Sequence, residues 1–293
     1  MKAADFLYHR PGSVAEAAAL LHDYGGDARI LAGGQSLVPM LNLRLWRPAA
    51  LIDINRIEGL DGIDLLPDAT VLGARLRYDR IEHDPRIADR LPLLARMIRS
   101  VGDRQVRHRG TVGGAMIQAD PTGEMALGAL VLGARLRLVS RAGERHVPAE
   151  EFFLGSYATA ARPDEMLVSI RYPLQPAGFR FFEINRRHND FAVLSIAVVG
   201  DRAADGTWHG LRIGLGGVDE TPVLAREAIA LAEGTTLDPG IAAAAAEAAA
   251  AAISPPDDIR ASADYRRHLV TVHLARVLTS LSREGQEDRK TIS

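Results

Sequence analysis

The chain of 293 residues contains no cysteine. That absence excludes disulfides, thiolate zinc sites, cysteine nucleophiles and any iron–sulfur cluster held by this chain. Redox chemistry here must therefore use a bound organic cofactor or the nine histidines. Lysine is nearly missing too: it occurs only as Lys2 and Lys290, so almost all positive charge is arginine. With the abundant alanine, this reads as base composition before function. Neither sign of charge dominates. The 35 basic and 37 acidic side chains leave a formal net charge of -2, which gives no global reason to expect nucleic acid. Long hydrophobic runs are absent. The longest apolar stretch, 241–253, is mostly alanine and is broken by Glu247, too short and too weak to span a bilayer. Residues 1–20 mix Lys2, Asp5, His9, Arg10 and Glu16 among apolar side chains and leave no room for a secretory h-region. A cytoplasmic protein is expected.

What is present is the ordinary mix of a globular protein, 47% apolar and 25% charged, with a length that favours two domains. The N-terminal part alternates strand-like and helix-like segments. Ser13 with Glu16 predicts a capping box opening a helix over 14–24, ended by Gly25-Gly26. Strands are predicted at 29–32, 51–54 and 70–74, a helix over 79–101, another over 124–133, and two strands at 135–140 and 144–147. Pro173, Pro176 and Gly178 then interrupt the pattern. Beyond them follow strands at 179–185, 191–199 and 208–215 and helices at 222–233, 239–252 and 262–282, a separate α+β unit. The charged tail is expected to be disordered.

Two segments carry the chemistry: Leu31-Ala32-Gly33-Gly34-Gln35-Ser36-Leu37 and Arg109-Gly110-Thr111-Val112-Gly113-Gly114-Ala115. Glycine admits positive φ and leaves no side chain between backbone and ligand. Successive N–H groups in such a turn can form a concave nest for an anion. One such pair reads as a tight turn; two, both flanked by Ser or Thr, read as paired ligand loops. Familiar phosphate and hydrolase motifs are excluded. There is no P-loop, and Gly214-Leu215-Gly216-Gly217 has Asp219 where a third glycine would complete a Rossmann fingerprint. The segment around Ser36 is not a nucleophile elbow. No His-Glu-x-x-His occurs and the histidines show no ligand spacing, so no metal site is read. His108 and His188, beside the motifs, are the two least settled of them.

The segments LAGGQSLVPMLNLRL (31–45) and RHRGTVGGAMIQADPTGEM (107–125) resemble the FAD-binding medium subunit of molybdenum hydroxylases. That family takes in the carbon monoxide dehydrogenase, nicotine dehydrogenase and bacterial xanthine dehydrogenase types. The resemblance continues through LIDI (51–54), RPDEMLVSIRYP (162–173), RRHNDFA (186–192) and ADYRRHLVTVHLARVL (263–278), covering nearly the whole chain in order.

The resemblance implies an α+β fold: a vanillyl-alcohol-oxidase-like (PCMH-type) FAD-binding domain of two subdomains over 1–175, then a C-terminal domain with a three-stranded sheet and helical bundle over 176–285. A tail of 286–293 would follow. It implies that Ala32, Gly33, Gly34, Gln35, Ser36 and Leu37 hold the pyrophosphate and that Thr111, Gly113, Gly114 and Ala115 form a second clasp. Glu124 would meet ribityl or ribose hydroxyls, although as the first residue of a helix it would also favour the macrodipole without any ligand. Leu167 would pack near the flavin, and Asp190 and Phe191 would approach the isoalloxazine ring. No catalytic residue is implied. Arg44, Arg107 and Arg109 flank the loops and either offset pyrophosphate charge or sit in solvent. The implied cofactor of this chain is FAD. A molybdopterin cofactor and [2Fe-2S] clusters would sit on a large and a small partner subunit, in a dimer of heterotrimers. Electrons would come from the iron–sulfur subunit and leave through FAD to an external acceptor.

Three positions depart from the family. Position 115 is Ala where Asn, Ser or Asp is common. Gln35 stands where carbon monoxide dehydrogenases tend to have His. The family's Lys near 182–185 is replaced within Phe182-Glu183-Ile184-Asn185, so NAD is not implied as the acceptor. Two alternatives stay open: a stand-alone flavin oxidase of the same fold acting on a small alcohol or aldehyde, and a flavin-free assembly scaffold.

Overall fold

Two α+β units make up the chain, and both are stitched from separate chain segments. The computed structural model describes residues 2–187 and 189–290, and of 284–290 only the backbone. His188 lies outside the described residues. The first elements are β1 (Leu7–His9), α1 (Val14–Asp23), β2 (Ala28–Leu31), α2 (Leu37–Asn42), β3 (Ala50–Asp53), β4 (Ile63–Leu66) and β5 (Ala69–Gly73). Short helices follow: α3 (Tyr78–His83), α4 (Pro85–Arg90), α5 (Pro92–Met97), α6 (Arg104–Arg109), α7 (Val112–Gln118) and α8 (Glu124–Val131). Then come β6 (Arg135–Ser140), β7 (Gly143–Pro148), α9 (Ala149–Phe152), β8 (Phe153–Gly155), β9 (Ala158–Thr159) and β10 (Met166–Pro173). The rest is β11 (Gly178–Asn185), β12 (Ala192–Arg202), β13 (Trp208–Gly216), β14 (Val223–Leu224), α10 (Arg226–Ala232), α11 (Pro239–Ala252) and α12 (Ala263–Lys290).

The first unit comprises the chain up to Ala88, Gly102–Ala119 and Gly133–Pro173. It holds a parallel three-stranded sheet in the order β1-β3-β2 and an antiparallel five-stranded sheet in the order β4-β5-β10-β6-β7. These match the two subdomains expected. The capping box forms: Ser13 Oγ accepts from Glu16 N–H at 3.1 Å, and Glu16 accepts from Gly12 N–H at 2.7 Å. Helix α1 thereby turns Ala17 and Leu21 onto Ile52, Ile54, Met166 and Val168, the core of this unit.

The helix predicted over 79–101 is instead three short helices and a 3-10 turn. Pro85 and Pro92 each start a new helix, because proline lacks the N–H that would continue the previous one and forces its predecessor out of the helical region. Asp84 and Leu91 are accordingly non-helical, with ψ of 118 and φ of -137.

The second unit comprises Asp89–Val101, Asp120–Leu132 and the chain from Leu174. Strands β11, β12 and β13 form the expected three-stranded antiparallel sheet, with the two-residue β14 added at its edge. Ala192–Gly200 of β12 is buried throughout, because helices pack on it: α8, and α12 with α11 packed in turn against α12. Helix α8 comes close because Gly214 has no side chain; a Cβ there would lie 2.3 Å from Val131 Cγ2. Arg266 of α12 is a charged side chain set deep in this core, 1% exposed. Its guanidinium donates to Val193 O at 2.7 Å, Gly217 O at 2.6 Å and Asp258 at 2.8 Å. It thus ties α12 to one end of the central strand pair, where β12 begins and β13 ends. Of the charged tail, 286–290 lie in the last turns of α12, and 291–293 lie outside the described residues. Among the described residues no helix is long and apolar enough to cross a membrane.

Candidate functional site

Strand β2 delivers the first glycine loop. Gly34 sits at φ +74, a conformation that disfavours any side chain. The turn it allows sends the chain into α2, with Ser36 at the N-cap position and Leu37 as the first helical residue. The N–H groups of Gly33, Gly34, Gln35, Ser36 and Leu37 donate to no protein acceptor among the described residues; the first N–H engaged is that of Val38, to Gly34 O at 3.0 Å. Five unpaired donors in succession form the concave, electropositive surface that suits an anion. Ala32, Gly33, Gly34 and Gln35 line a cleft of about 550 Å3, within the range of roughly 300–1,000 Å3 usual for small-molecule sites.

The second loop has the same residue types but different wiring. Thr111, 3% exposed, caps α7 by accepting from Gly114 N–H at 3.1 Å. Val112 N–H donates to Leu76 O, Gly113 N–H to Ala74 O and Ala115 N–H to Thr111 O. Gly113 is packed so tightly that a Cβ would lie 2.6 Å from that of Ala74. These N–H groups hold the loop in place, and its contribution to a ligand is close approach of backbone. The loops meet at one point: a Cβ on Gly33 would lie 2.2 Å from Arg109 O. Of the three flanking arginines, only Arg109 lines the cleft. Arg107 pairs with Glu82 at 2.8 Å, and Arg44 reaches Lys2 O at 3.2 Å. His108 is exposed beside Asp79 at 3.4 Å.

Sequence reasoning missed the side chains under the cleft. Tyr8 donates its hydroxyl to Asp53, which is 8% exposed. Asp53 also accepts from the N–H of Asn55 at 2.8 Å and from its amide nitrogen at 2.6 Å. Burial pushes the Asp53 carboxyl up, but hydrogen bonds from Tyr8 and Asn55 and the charge of Arg10 outweigh it and hold it below its ordinary value. Asn55 donates on to Ala32 O at 2.9 Å and accepts from Arg77 at 2.5 Å. Arg77 donates also to Arg109 O. The only sequence signal was Asp53 inside LIDI; Asn55 and Arg77 lie in no motif.

The remaining predicted residues are dispersed. Leu167 is buried in β10, opposite Leu138 of β6, and does not line the cleft. Glu124, Asp190 and Phe191 belong to the second unit. Glu124 opens α8, and its carboxyl is pushed up to about 8 by burial, then by the charges of Glu183 and Asp120. Glu183 is pushed up to about 7 by burial, which outweighs the hydrogen bonds it accepts from Ser195 and Asn185. Asp190 accepts from Phe191 N–H at 2.8 Å and pairs with Arg187. Phe191 is 53% exposed with the Arg260 guanidinium 4.8 Å from its ring centroid. Among the described residues no group of His, Asp or Glu is placed to hold a metal ion.

Residues 3–175 match the family described as the FAD binding domain in molybdopterin dehydrogenase, and residues 179–281 match the CO dehydrogenase flavoprotein C-terminal domain. The chain belongs to this family of FAD-binding subunits. It is 37% identical to the carbon monoxide dehydrogenase medium chain of Hydrogenophaga pseudoflava, over 94% of this chain and 96% of that one. It is 33% identical to the 6-hydroxypseudooxynicotine dehydrogenase complex subunit alpha of Paenarthrobacter nicotinovorans, over 100% of this chain and 99% of the relative. The solved structure of carbon monoxide dehydrogenase from Hydrogenophaga pseudoflava superposes with a TM-score of 0.92 at 39% identity, covering 95% of this chain and 98% of that one.

The cleft fits the cofactor of the family. A dinucleotide carries a pyrophosphate, and the five free N–H groups of 33–37 are the donors that would otherwise stay unpaired beside it. The backbone at Gly33, bare and in contact with Arg109 O, leaves the cradle open where a larger residue would close it.

Proposed function

We propose that this chain is the FAD-binding electron-transfer subunit of a heteromeric molybdenum hydroxylase. The observation that carries the reading is the run of five unengaged N–H groups, Gly33 to Leu37, of which Gly33, Gly34 and Gln35 line the cleft beside Arg109. Ala32 to Leu37 hold the pyrophosphate by backbone donation, each such bond to a charged oxygen contributing roughly 1.5–3 kcal/mol. Thr111, Gly113, Gly114 and Ala115 form the second clasp by shape, the N–H groups of Gly113, Gly114 and Ala115 being engaged within the chain. Glu124, Leu167, Asp190 and Phe191 complete the binding residues, with Phe191 offering an exposed ring to cover a flavin face. Bound FAD supplies the redox chemistry; the chain supplies binding, orientation and electrostatics. Residues 1–175 form the FAD-binding domain and 176–285 the domain that meets the flavin or a partner.

The relatives named as medium subunits and as a complex subunit alpha support partners of the same kind. These are a large molybdopterin-binding subunit and a small iron–sulfur subunit, assembled as a dimer of heterotrimers in the cytoplasm. Purified chain mixed with FAD should acquire a bound-flavin spectrum and should oxidise no alcohol or aldehyde by itself. Co-purification from the native host should bring down two partners, one of them rich in cysteine. A chain that takes up no flavin would sink this reading in favour of a scaffold. Substrate oxidation by the isolated chain would sink it in favour of a stand-alone oxidase.

A further inference from the structure

One route of side-chain hydrogen bonds links the two glycine loops, and neither of its residues lies on a loop. Asn55 leaves the end of β3 and donates its amide to Ala32 O at 2.9 Å, the carbonyl just before Gly33. Its amide oxygen accepts from one nitrogen of the Arg77 guanidinium at 2.5 Å. The other terminal nitrogen of Arg77 donates to Arg109 O, the carbonyl just before Gly110-Thr111. That same carbonyl is in contact with Gly33, where a Cβ would lie at 2.2 Å. Arg109 O is therefore held from two sides: by the bare backbone of the first loop and by the Arg77 fork. The fork matters because its two donors point in fixed directions from one plane.

The arrangement works against resistance. Arg77 is half-buried, and burial and then the charge of Arg109 both disfavour its protonated form. Such a guanidinium keeps its place because every acceptor it meets is fixed. Asn55 is fixed by two bonds to Asp53, and Asp53 in turn by the Tyr8 hydroxyl. The backbone bridge between Arg77 and Thr111 fixes the other end.

We propose that Asn55 and Arg77 are positioning residues that set the distance between the two glycine loops and thereby the affinity of the cleft for a dinucleotide. The FAD arm of this inference rests on the functional reading above. The structural arm does not.

The test uses the full chain as Arg77→Met, Arg77→Lys, Asn55→Ala and the Arg77→Met/Asn55→Ala pair. In the ligand-free chains, amide hydrogen exchange at Val38 and Met40, whose N–H groups donate to Gly34 O and Ser36 O of the first loop, and over 109–115 should quicken in both segments together for either single substitution. The double variant should be no faster than the faster single, because the two residues act in series. FAD titration should show affinity lowered about tenfold or more by Arg77→Met, with part of the loss recovered in Arg77→Lys, while the thermal midpoint without ligand changes little. Quickened exchange in 109–115 alone, or a lowered midpoint with unchanged affinity for FAD, would make Arg77 a merely structural group and overturn the proposal. A parent chain that binds no FAD would sink the functional reading alone, since exchange decides the positioning role without ligand.

Discussion

The carboxyl pair Glu124 and Glu183 makes the stability of the second unit fall as pH rises through neutrality. Both folded-state values, about 8 and about 7, lie above the ordinary 4.5. The folded chain therefore keeps protons that the unfolded chain releases. This contribution is fully present below about 4.5 and is lost as pH rises through 7 and then 8. Each such proton changes stability by about 1.4 kcal/mol per pH unit across the interval. Replacing Glu183 by Gln keeps an acceptor oxygen for Asn185 and turns a donor toward the Ser195 hydroxyl, which can accept, removes one of the two protons, and lifts the repulsion on Glu124. Over pH 5 to 7 the variant should therefore lose about 1.4 kcal/mol per pH unit less than the parent, which for a chain of this size is roughly 3 °C per unit in the thermal midpoint. Melting followed by far-ultraviolet circular dichroism at half-unit pH steps measures it. Parallel midpoint curves for parent and Glu183→Gln from pH 5 to 8 would refute the reasoning, because Glu183 would then hold no proton in the folded chain that the unfolded chain releases.

Two further outcomes follow from contacts already described. Gly33→Ala places a methyl 2.2 Å from Arg109 O; backbone on both sides must shift, at a cost of about 1–3 kcal/mol, and FAD titration should show a clear loss of affinity, whereas Gly25→Ala, with open space around its Cβ, should leave affinity alone. Arg266→Met removes the donor to Val193 O, Gly217 O and Asp258 and should lower stability in urea by about 3–5 kcal/mol, with no change in the flavin spectrum of whatever fraction is folded.

Local chemistry was legible in the sequence and distant chemistry was not. The Ser13–Glu16 cap, the hairpin of β6 and β7, the helix 239–252 and both glycine segments show themselves within a few residues. Pro85 and Pro92 stand in the sequence as breaks, but Ile87, Leu91, Leu94 and Ile98 recur at helical spacing across the second of them and read as one continuous helix. The segment from Val112 reads as a loop because two glycines are poor helix formers; it is a helix because Thr111 caps it and because Gly113 alone fits against Ala74. The two glycine pairs look alike, yet one keeps its N–H groups free and the other engages them. That difference depends on Ala74 and Leu76, more than 30 residues upstream of the second loop. Asn55 and Arg77 stand 22 residues apart and only the fold brings them together. Nor does any local pattern announce that 89–101 and 120–132 pack with the C-terminal strands.

That stitching bears on synthesis in the cell. Helix α8 is buried along Met125 to Val131, and the strands that cover it, β12 and β13, leave the ribosome only after some 60 to 80 further residues. At roughly 5–20 residues per second the nascent chain must shelter this apolar segment for several seconds. The first unit can close around its own sheets meanwhile, but the second waits for Arg266, about 50 residues beyond the end of β13, to lock it. A slow codon stretch or a missing chaperone between 132 and 208 would therefore harm yield without touching any residue of the finished cleft.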